Sequence, residues 1–187
     1  MIRRAVPEDL TQLMEIVAQA AASMWEDGFH QWDAAYPDRA VFAQDIAEGA
    51  LYVIDQAGRL GGMVCIDAKP AMLYRAVPWR QPRAAVLHRL AVRNACRGQV
   101  LGRKLMAHAC RVASAGGYQA VHSDTARENR RMRRLFAASG FCYAGAIQYP
   151  GYPETFYCYE KPLSGLCRKG KGKVPENRSL PFGEELY

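Results

Sequence analysis

The sequence predicts an α/β fold: one mixed, mostly antiparallel sheet with a central parallel strand pair, flanked by helices. Three observations carry this. A hairpin pattern in the first half, "LYVIDQAGRLGGMVCIDA", calls for antiparallel pairing. Strand–helix–strand alternation in the second half calls for a parallel pair. The 187-residue chain, half of it hydrophobic, is long enough to bury one sizeable core.

The elements follow in order. "IRRAV" is a short strand. "PEDLTQLMEIVAQAAASMW" opens with Pro and acids and carries Leu10, Leu13, Met14 and Val17 at helical spacing. A second helix covers "DRAVFAQDIAEG", with Asp38 as N-cap and Gly49 as stop. After the hairpin, Pro70 to Pro82 reads as a loop. "AAVLHRLAV" is a long strand, and a helix is expected from Gly98 to "SAGGY". "QAVHSDT" is a strand, "ENRRMRRLFAASG" a helix, and "FCYAGAI" and "TFYCYEKPL" close the sheet. Residues 1–163 form the domain, and 164–187, rich in Gly, Lys and Pro, read as a basic tail or surface arm.

No apolar run reaches the roughly 18 residues a membrane span requires. "MIRRAVPEDL" lacks the apolar segment of a signal peptide. Six scattered cysteines without a C-x-x-C pair fit no zinc site, and as reduced thiols they point to the cytoplasm. No metal is expected. The net charge of +7 is uneven: residues 84–135 carry eleven basic and two acidic side chains, net +9. Such a block attracts nucleic acid or a ligand with several phosphates. Nucleic acid is the weaker reading, because the Arg-rich stretch 127–134 lacks interleaved aromatics for base stacking.

Within that block, Arg97-Gly98-Gln99-Val100-Leu101-Gly102 places unpaired helix-start amides directly after a strand, with Arg103 and Lys104 adding cationic side chains. A pyrophosphate suits that arrangement, and so does a plain strand–turn–helix connection. The stretch matches neither G-x-G-x-x-G nor the P-loop spacing.

The segments "LHRLAVRNACRGQVLGRKLM", "DTARENRRMRRLFAASGF" and "FYCYEKPL", in that order, together resemble the GNAT superfamily of N-acetyltransferases over roughly residues 1–163. The resemblance implies a GNAT-like sheet and acetyl-CoA as cosubstrate. Backbone amides near Leu90, Ala91 and Val92 would then hold the coenzyme and its carbonyl, and Arg97 to Arg103 its pyrophosphate. Asn129 and Met132 would lie beside the pantetheine arm, with one or two of Arg130, Arg131 and Arg134 near the 3′-phosphate. Two positions depart from the family pattern. Val100 stands where a glycine is expected, which predicts a looser hold on the phosphates. Phe136 stands for a frequent tyrosine and removes a candidate acid for the leaving thiolate; Tyr143, Tyr149 and Tyr157 are alternatives with nothing to separate them.

His88 is the leading candidate base, since an imidazole changes charge near neutral pH and several family members carry Glu or His at this place. Strict strand alternation puts His88, Leu90 and Val92 on one face and Arg89, Ala91 and Arg93 on the other. His122 reads as structural, and His30 and His108 as surface or helix residues. Trp25, Trp32 and Tyr36, with Phe29 and "YRAVPWR", are the candidate acceptor pocket or else plain core. Acids among them (Glu26, Asp27, Asp33) favour a cationic acceptor. The expected function is acetyl-CoA-dependent acetylation of a primary amine of a small molecule or peptide by direct attack. The alternatives are a non-catalytic acyl-CoA-binding module and a basic nucleic-acid-associated protein; a homodimer is left open.

Overall fold

The computed structural model describes residues 1–164 apart from Gln99. The predicted basic tail from residue 165 onward therefore lies outside the described residues. Strands β1 (Ile2–Arg4), β2 (Leu51–Gln56), β3 (Arg59–Asp67), β4 (Ala84–Val92), β5 (Ala120–Ala126), β6 (Cys142–Gln148) and β7 (Thr155–Pro162) form one seven-stranded sheet in the order β1-β2-β3-β4-β5-β7-β6. Every neighbour pair is antiparallel except β4–β5. Helices α1 (Leu10–Glu26) and α2 (Arg39–Ala47) precede the first hairpin, α3 (Leu101–Ala115) connects β4 to β5, and α4 (Arg130–Ala138) follows β5.

Local chemistry sets the element ends. The Asp38 carboxylate accepts the Val41 N–H at 2.8 Å and caps α2, and Gly49 at φ +67° stops it, as the sequence predicts. Ala57 and Gly58 both take positive φ, the two-residue turn that suits the twist of the β2–β3 hairpin. The helix expected from Gly98 begins at Leu101 instead. Gly98 is left-handed (φ +79°) and follows a 3-10 turn at Asn94–Cys96, so a short extended-to-left-handed stretch separates that turn from the first α-helical residue. Pro70 to Pro82 is not wholly irregular: Met72–Ala76 is a 3-10 turn.

The sheet buries both faces, which explains its near-continuous apolar strands. On one face α3 and α4 cover Tyr52, Val64, Leu87, Val121 and Tyr159, with Leu105, Met106 and Phe136 fully buried between them. On the other, α1 and α2 cover Val53, Met63, Cys65 and Ala91. A third cluster around Phe29, Tyr74 and Phe156 fills that face beyond β5. At roughly 1.5–3 kcal/mol per fully buried large apolar side chain, these clusters supply the main driving force for folding. Cys65, Cys110 and Cys158 are buried free thiols and Cys96 a half-buried one. Among the described residues no helix is long and apolar enough to cross a membrane, and no group of His, Cys, Asp and Glu is arranged to hold a metal ion.

Candidate active site

The parallel pair at the centre of the sheet is incomplete, and the gap is the site. Strands β4 and β5 pair only through Ala84–Val86 and Ala120–His122, although β4 runs on to Val92 and β5 to Ala126. At the fork, Ser123 Oγ donates to the Leu87 carbonyl at 2.9 Å. Beyond it the two strands separate.

On the β3 side β4 carries a bulge. Cys65 pairs with His88 and Met63 with Ala91, so Arg89 and Leu90 stand opposite Val64 alone. Arg89 takes the left-handed region (φ +48°), where side chains rarely sit. Its guanidinium is held by Asp45 of α2, with Nε at 2.8 Å and Nη2 at 2.7 Å from the two carboxylate oxygens. The bulge overturns the strict alternation expected for this strand. His88 and Arg89 both reach the α1–α2 face, while Leu90 and Val92 pack with the α3–α4 core, so His88 shares no face with Leu90 or Val92. One extra residue inverts the side-chain order beyond it.

Two depressions meet at the opening and share Met24, Leu90, Asn129 and Met132. The first, about 450 Å³, runs along the start of α3 and is lined by Leu90, Ala91, Val92, Arg97, Gly98 and Gly102, with Asn129 and Met132 from the start of α4. Arg97 Nη1 donates to Ser23 Oγ at 2.8 Å, and burial first and Arg131 second lower the Arg97 pKa. A guanidinium so placed favours an incoming anion. Arg131, which also lines this groove, pairs loosely with Asp27 at 3.4 Å. Asn129 caps α4 by accepting the Met132 N–H at 3.0 Å. A Cβ on Gly102 would lie 3.2 Å from Leu135, so the absence of a side chain there keeps the groove open at the helix start. The first α3 amides have no preceding turn to donate to.

Other expected coenzyme residues stand elsewhere. Leu101 is buried in the core, and Arg103 and Arg134 are exposed outside the groove lining. Gln99 lies outside the described residues. Val100 is 57% exposed at φ −66°, an ordinary backbone for a β-branched residue. The left-handed conformation falls on Gly98, two residues earlier, so Val100 imposes no backbone conflict. Phe136 lines neither depression: it is fully buried, stacked on Tyr159 at 4.7 Å and tilted against Phe141 at 5.0 Å. A tyrosine there would bring its hydroxyl into this packed core.

The second depression, about 370 Å³, opens on the α1–α2 face. Its lining includes Trp32 and Tyr36, and the Tyr36 hydroxyl accepts from Arg89 Nη1 at 3.1 Å. Trp25 is not part of it. It is 59% exposed, packs edge-on against His30, and borders a separate shallow groove with Met14, Ala18 and Pro37. His88 Nε2 lies 3.2 Å from Asp67 Oδ1 and lines the cavity. Burial is the largest influence on the Asp67 carboxyl and pushes it up, but His88, the Lys69 N–H and Arg89 together outweigh it and hold it below the ordinary value. Gln31, Thr125 and Asp124 are among the lining residues that escaped the sequence reading. Gln31 Oε1 accepts from Thr125 Oγ1 at 3.0 Å and from the Ala126 N–H at 3.1 Å, tying the α1–α2 loop to β5. Asp124, on β5, accepts the Tyr149 hydroxyl at 2.6 Å. Burial raises the Asp124 pKa, and burial together with Asp124 raises that of Tyr149. Of the three candidate tyrosines, Tyr149 lines this cavity and Tyr143 and Tyr157 line neither depression. The other histidines stand apart from the opening. His122 is buried against Glu160 at 3.1 Å and stacked on Trp79 at 3.7 Å, and His108 packs on Tyr52.

A strand with a bulge, a fork beside it and an anion-ready helix start on one sheet invites comparison with known proteins. Residues 16–141 match the model of the acetyltransferase (GNAT) family. The chain belongs to that family. Its fold is shared by a GNAT-family acetyltransferase from Streptococcus agalactiae, with 24% identity and a TM-score of 0.72 over 87% of this chain and 94% of that one. A Staphylococcus aureus Mu50 protein gives 29% identity and 0.68 over 87% and 99%. The yncA protein of Salmonella typhimurium, whose structure includes its cofactor acetyl-CoA, gives 16% and 0.67 over 91% and 98%. A search of curated proteins finds no significant match. GNAT enzymes use acetyl-CoA, and acyl transfer is the chemistry of the family.

Proposed function

We propose that residues 1–163 form an N-acetyltransferase domain that moves the acetyl group of acetyl-CoA to a primary amine by direct attack. The observation that carries this reading is the meeting of the two depressions at the β4–β5 fork: one is suited to phosphates, the other carries a proton-accepting side chain.

In the first, Arg97, Arg131 and the α3 amides from Leu101 to Arg103 suit a pyrophosphate, and Gly98 and Gly102 leave it room. Asn129 and Met132 flank the path toward the fork, with Leu90, Ala91 and Val92 along its β4 side. Arg89 and Leu90 lack register partners in β3 and β5, which leaves main-chain N–H groups to stabilise the carbonyl oxygen as it gains charge. In the second, His88 takes a proton from the acceptor amine, and Asp67 fixes the ring and stabilises the imidazolium that forms. Trp32 and Tyr36 contribute to the wall against which the acceptor rests.

Calorimetric titration with acetyl-CoA, followed by a thiol-release assay over small-molecule and peptide amines, tests this. Saturable binding with acetylated product is the expected result. Binding without turnover on any amine would leave a non-catalytic coenzyme-binding module, and no binding at near-millimolar ligand would remove the reading.

A further inference from the structure

The charged side chains among the described residues lining the acceptor cavity are Lys69, His88, Arg89 and Asp124, and three of the four are paired. Lys69 bonds Glu48, Arg89 is gripped by Asp45, and His88 faces Asp67. Asp124 has a hydroxyl donor, Tyr149, at 2.6 Å. It is the single carboxylate on this wall and lacks a contacting cation among the described residues.

Its position adds to this. Val86 pairs with His122 in parallel register, and two residues further along each strand stand His88 and Asp124. The strands have already parted there, so the two side chains flank the opening from opposite lips. Both turn to the α1–α2 face: His88 toward Asp67, and Asp124 toward Tyr149 beside the Phe29–Phe156 cluster. Each is fixed from behind by its own partner. The space between them takes an acceptor nitrogen approaching the fork.

We infer that the Asp124 carboxylate, steadied by the Tyr149 hydroxyl, is the docking point for the acceptor's ammonium group. The acceptor is then a small primary amine that arrives as a cation, its apolar or aromatic body lying along Tyr36, Tyr152 and Phe156. This assignment rests on the N-acetyltransferase reading and gives each lip one task. Asp124 binds the cation, offsetting the desolvation that both charges suffer in a partly buried cavity. His88 then breaks one N–H bond by accepting that proton. The freed lone pair forms the C–N bond as the C–S bond breaks, and coenzyme A leaves as a thiolate that takes up the second proton shed by the nitrogen. The proton stays between Asp67 and Asp124, so the total charge at the opening is unchanged until product forms.

Calorimetry with phenethylammonium and its uncharged analogue phenethyl alcohol tests the docking point without any turnover. Wild-type protein is expected to bind the ammonium at least tenfold more tightly than the alcohol, and Asp124→Asn to abolish that preference while keeping acetyl-CoA affinity within twofold. Tyr149→Phe, which frees the carboxylate from its donor, should reduce the preference without erasing it. In turnover, Asp124→Asn should weaken apparent affinity (a higher KM) for phenethylamine far more than for aniline, which is uncharged at neutral pH. Equal binding of ammonium and alcohol, or a preference that survives in Asp124→Asn, would overturn the inference. An ammonium preference in a protein that acetylates no amine would instead sink the catalytic reading and keep the cation site. Thermal melts of both variants separate a lost site from a lost fold.

Discussion

The two depressions at the fork are built by opposite means. The phosphate-side groove takes most of its wall from two short sequence segments, residues 90–102 and 129–135, and relies on backbone: helix-start amides, a left-handed Gly98, and the bare Cα of Gly102. The acceptor cavity draws single side chains from many places, including Gln31, Tyr36, His88, Asp124 and Tyr149, each held by a partner distant in sequence. A ligand common to a whole family can be held by main-chain geometry, which a local motif encodes. A ligand particular to one member must be read by side chains, which only tertiary contacts bring together.

If this division holds, substitutions on the two sides separate binding of the coenzyme from chemistry on the acceptor. The largest effect is expected for His88→Ala. Turnover should fall by about 10²–10⁴-fold, the usual contribution of a general base, with acetyl-CoA affinity within twofold of wild type. Steady-state kinetics with calorimetry would show it, and an unaltered pH–rate profile in the variant would remove His88 from its role.

Arg97→Ala should do the reverse. Loss of one charge-assisted contact of about 1.5–3 kcal/mol weakens acetyl-CoA binding by about ten- to a hundredfold, and the acceptor KM should stay unchanged. Binding should also become less sensitive to salt. A rise confined to the acceptor KM would break the comparison.

A smaller effect is expected in stability. Burial raises the folded-state pKa of Asp124, so its ionised form is disfavoured in the folded protein. The cost is absent below the unfolded Asp value of about 3.9 and grows as pH rises past it. Asp124→Asn should therefore raise the melting temperature near pH 7 by a few degrees and leave it unchanged near pH 3, a shift of about 2–4 °C for each kcal/mol in a chain of this size. Melting curves at the two pH values check the sign, and lower stability at pH 7 would contradict it.

The smallest effect is expected at Val100. From sequence alone, restoring a glycine there should tighten coenzyme binding. With Val100 exposed at φ −66° and outside the groove lining, Val100→Gly should leave affinity within about twofold and cost up to about 1 kcal/mol through added backbone freedom. A gain above about tenfold in affinity would place residue 100 at the phosphates after all.

Periodicity and punctuation made most of the fold legible. Element order, the β2–β3 hairpin, the Asp38 cap and the parallel pairing of β4 with β5 all follow from residues near each other in the chain. The candidate site was legible where sequence neighbours line one groove: Leu90, Ala91, Val92, Arg97, Gly98, Gly102, Asn129 and Met132. It was misread where a distant residue intervenes. Asp45, more than forty residues upstream, holds Arg89 in the bulge, and beyond it Leu90 and Val92 turn to the face opposite His88. Trp25 and Trp32 sit seven residues apart, and only the packing shows that Trp32 lines the cavity while Trp25 faces solvent. Asp124 gave no signal, because a lone acid in an apolar strand gains meaning only when Tyr149 and His88 stand around it.

By itself the sequence determined the sheet, its helices and a glycine-bearing turn between β4 and α3, since hydrophobic period, caps and glycine conformations act over a few residues. The tertiary structure alone decided where β4 and β5 part, which face Leu90 and Val92 take beyond the bulge, and what faces His88 across the opening. Those features depend on ion pairs and hydrogen bonds between residues tens of positions apart, whose strength comes from the shared, partly desolvated space that folding creates.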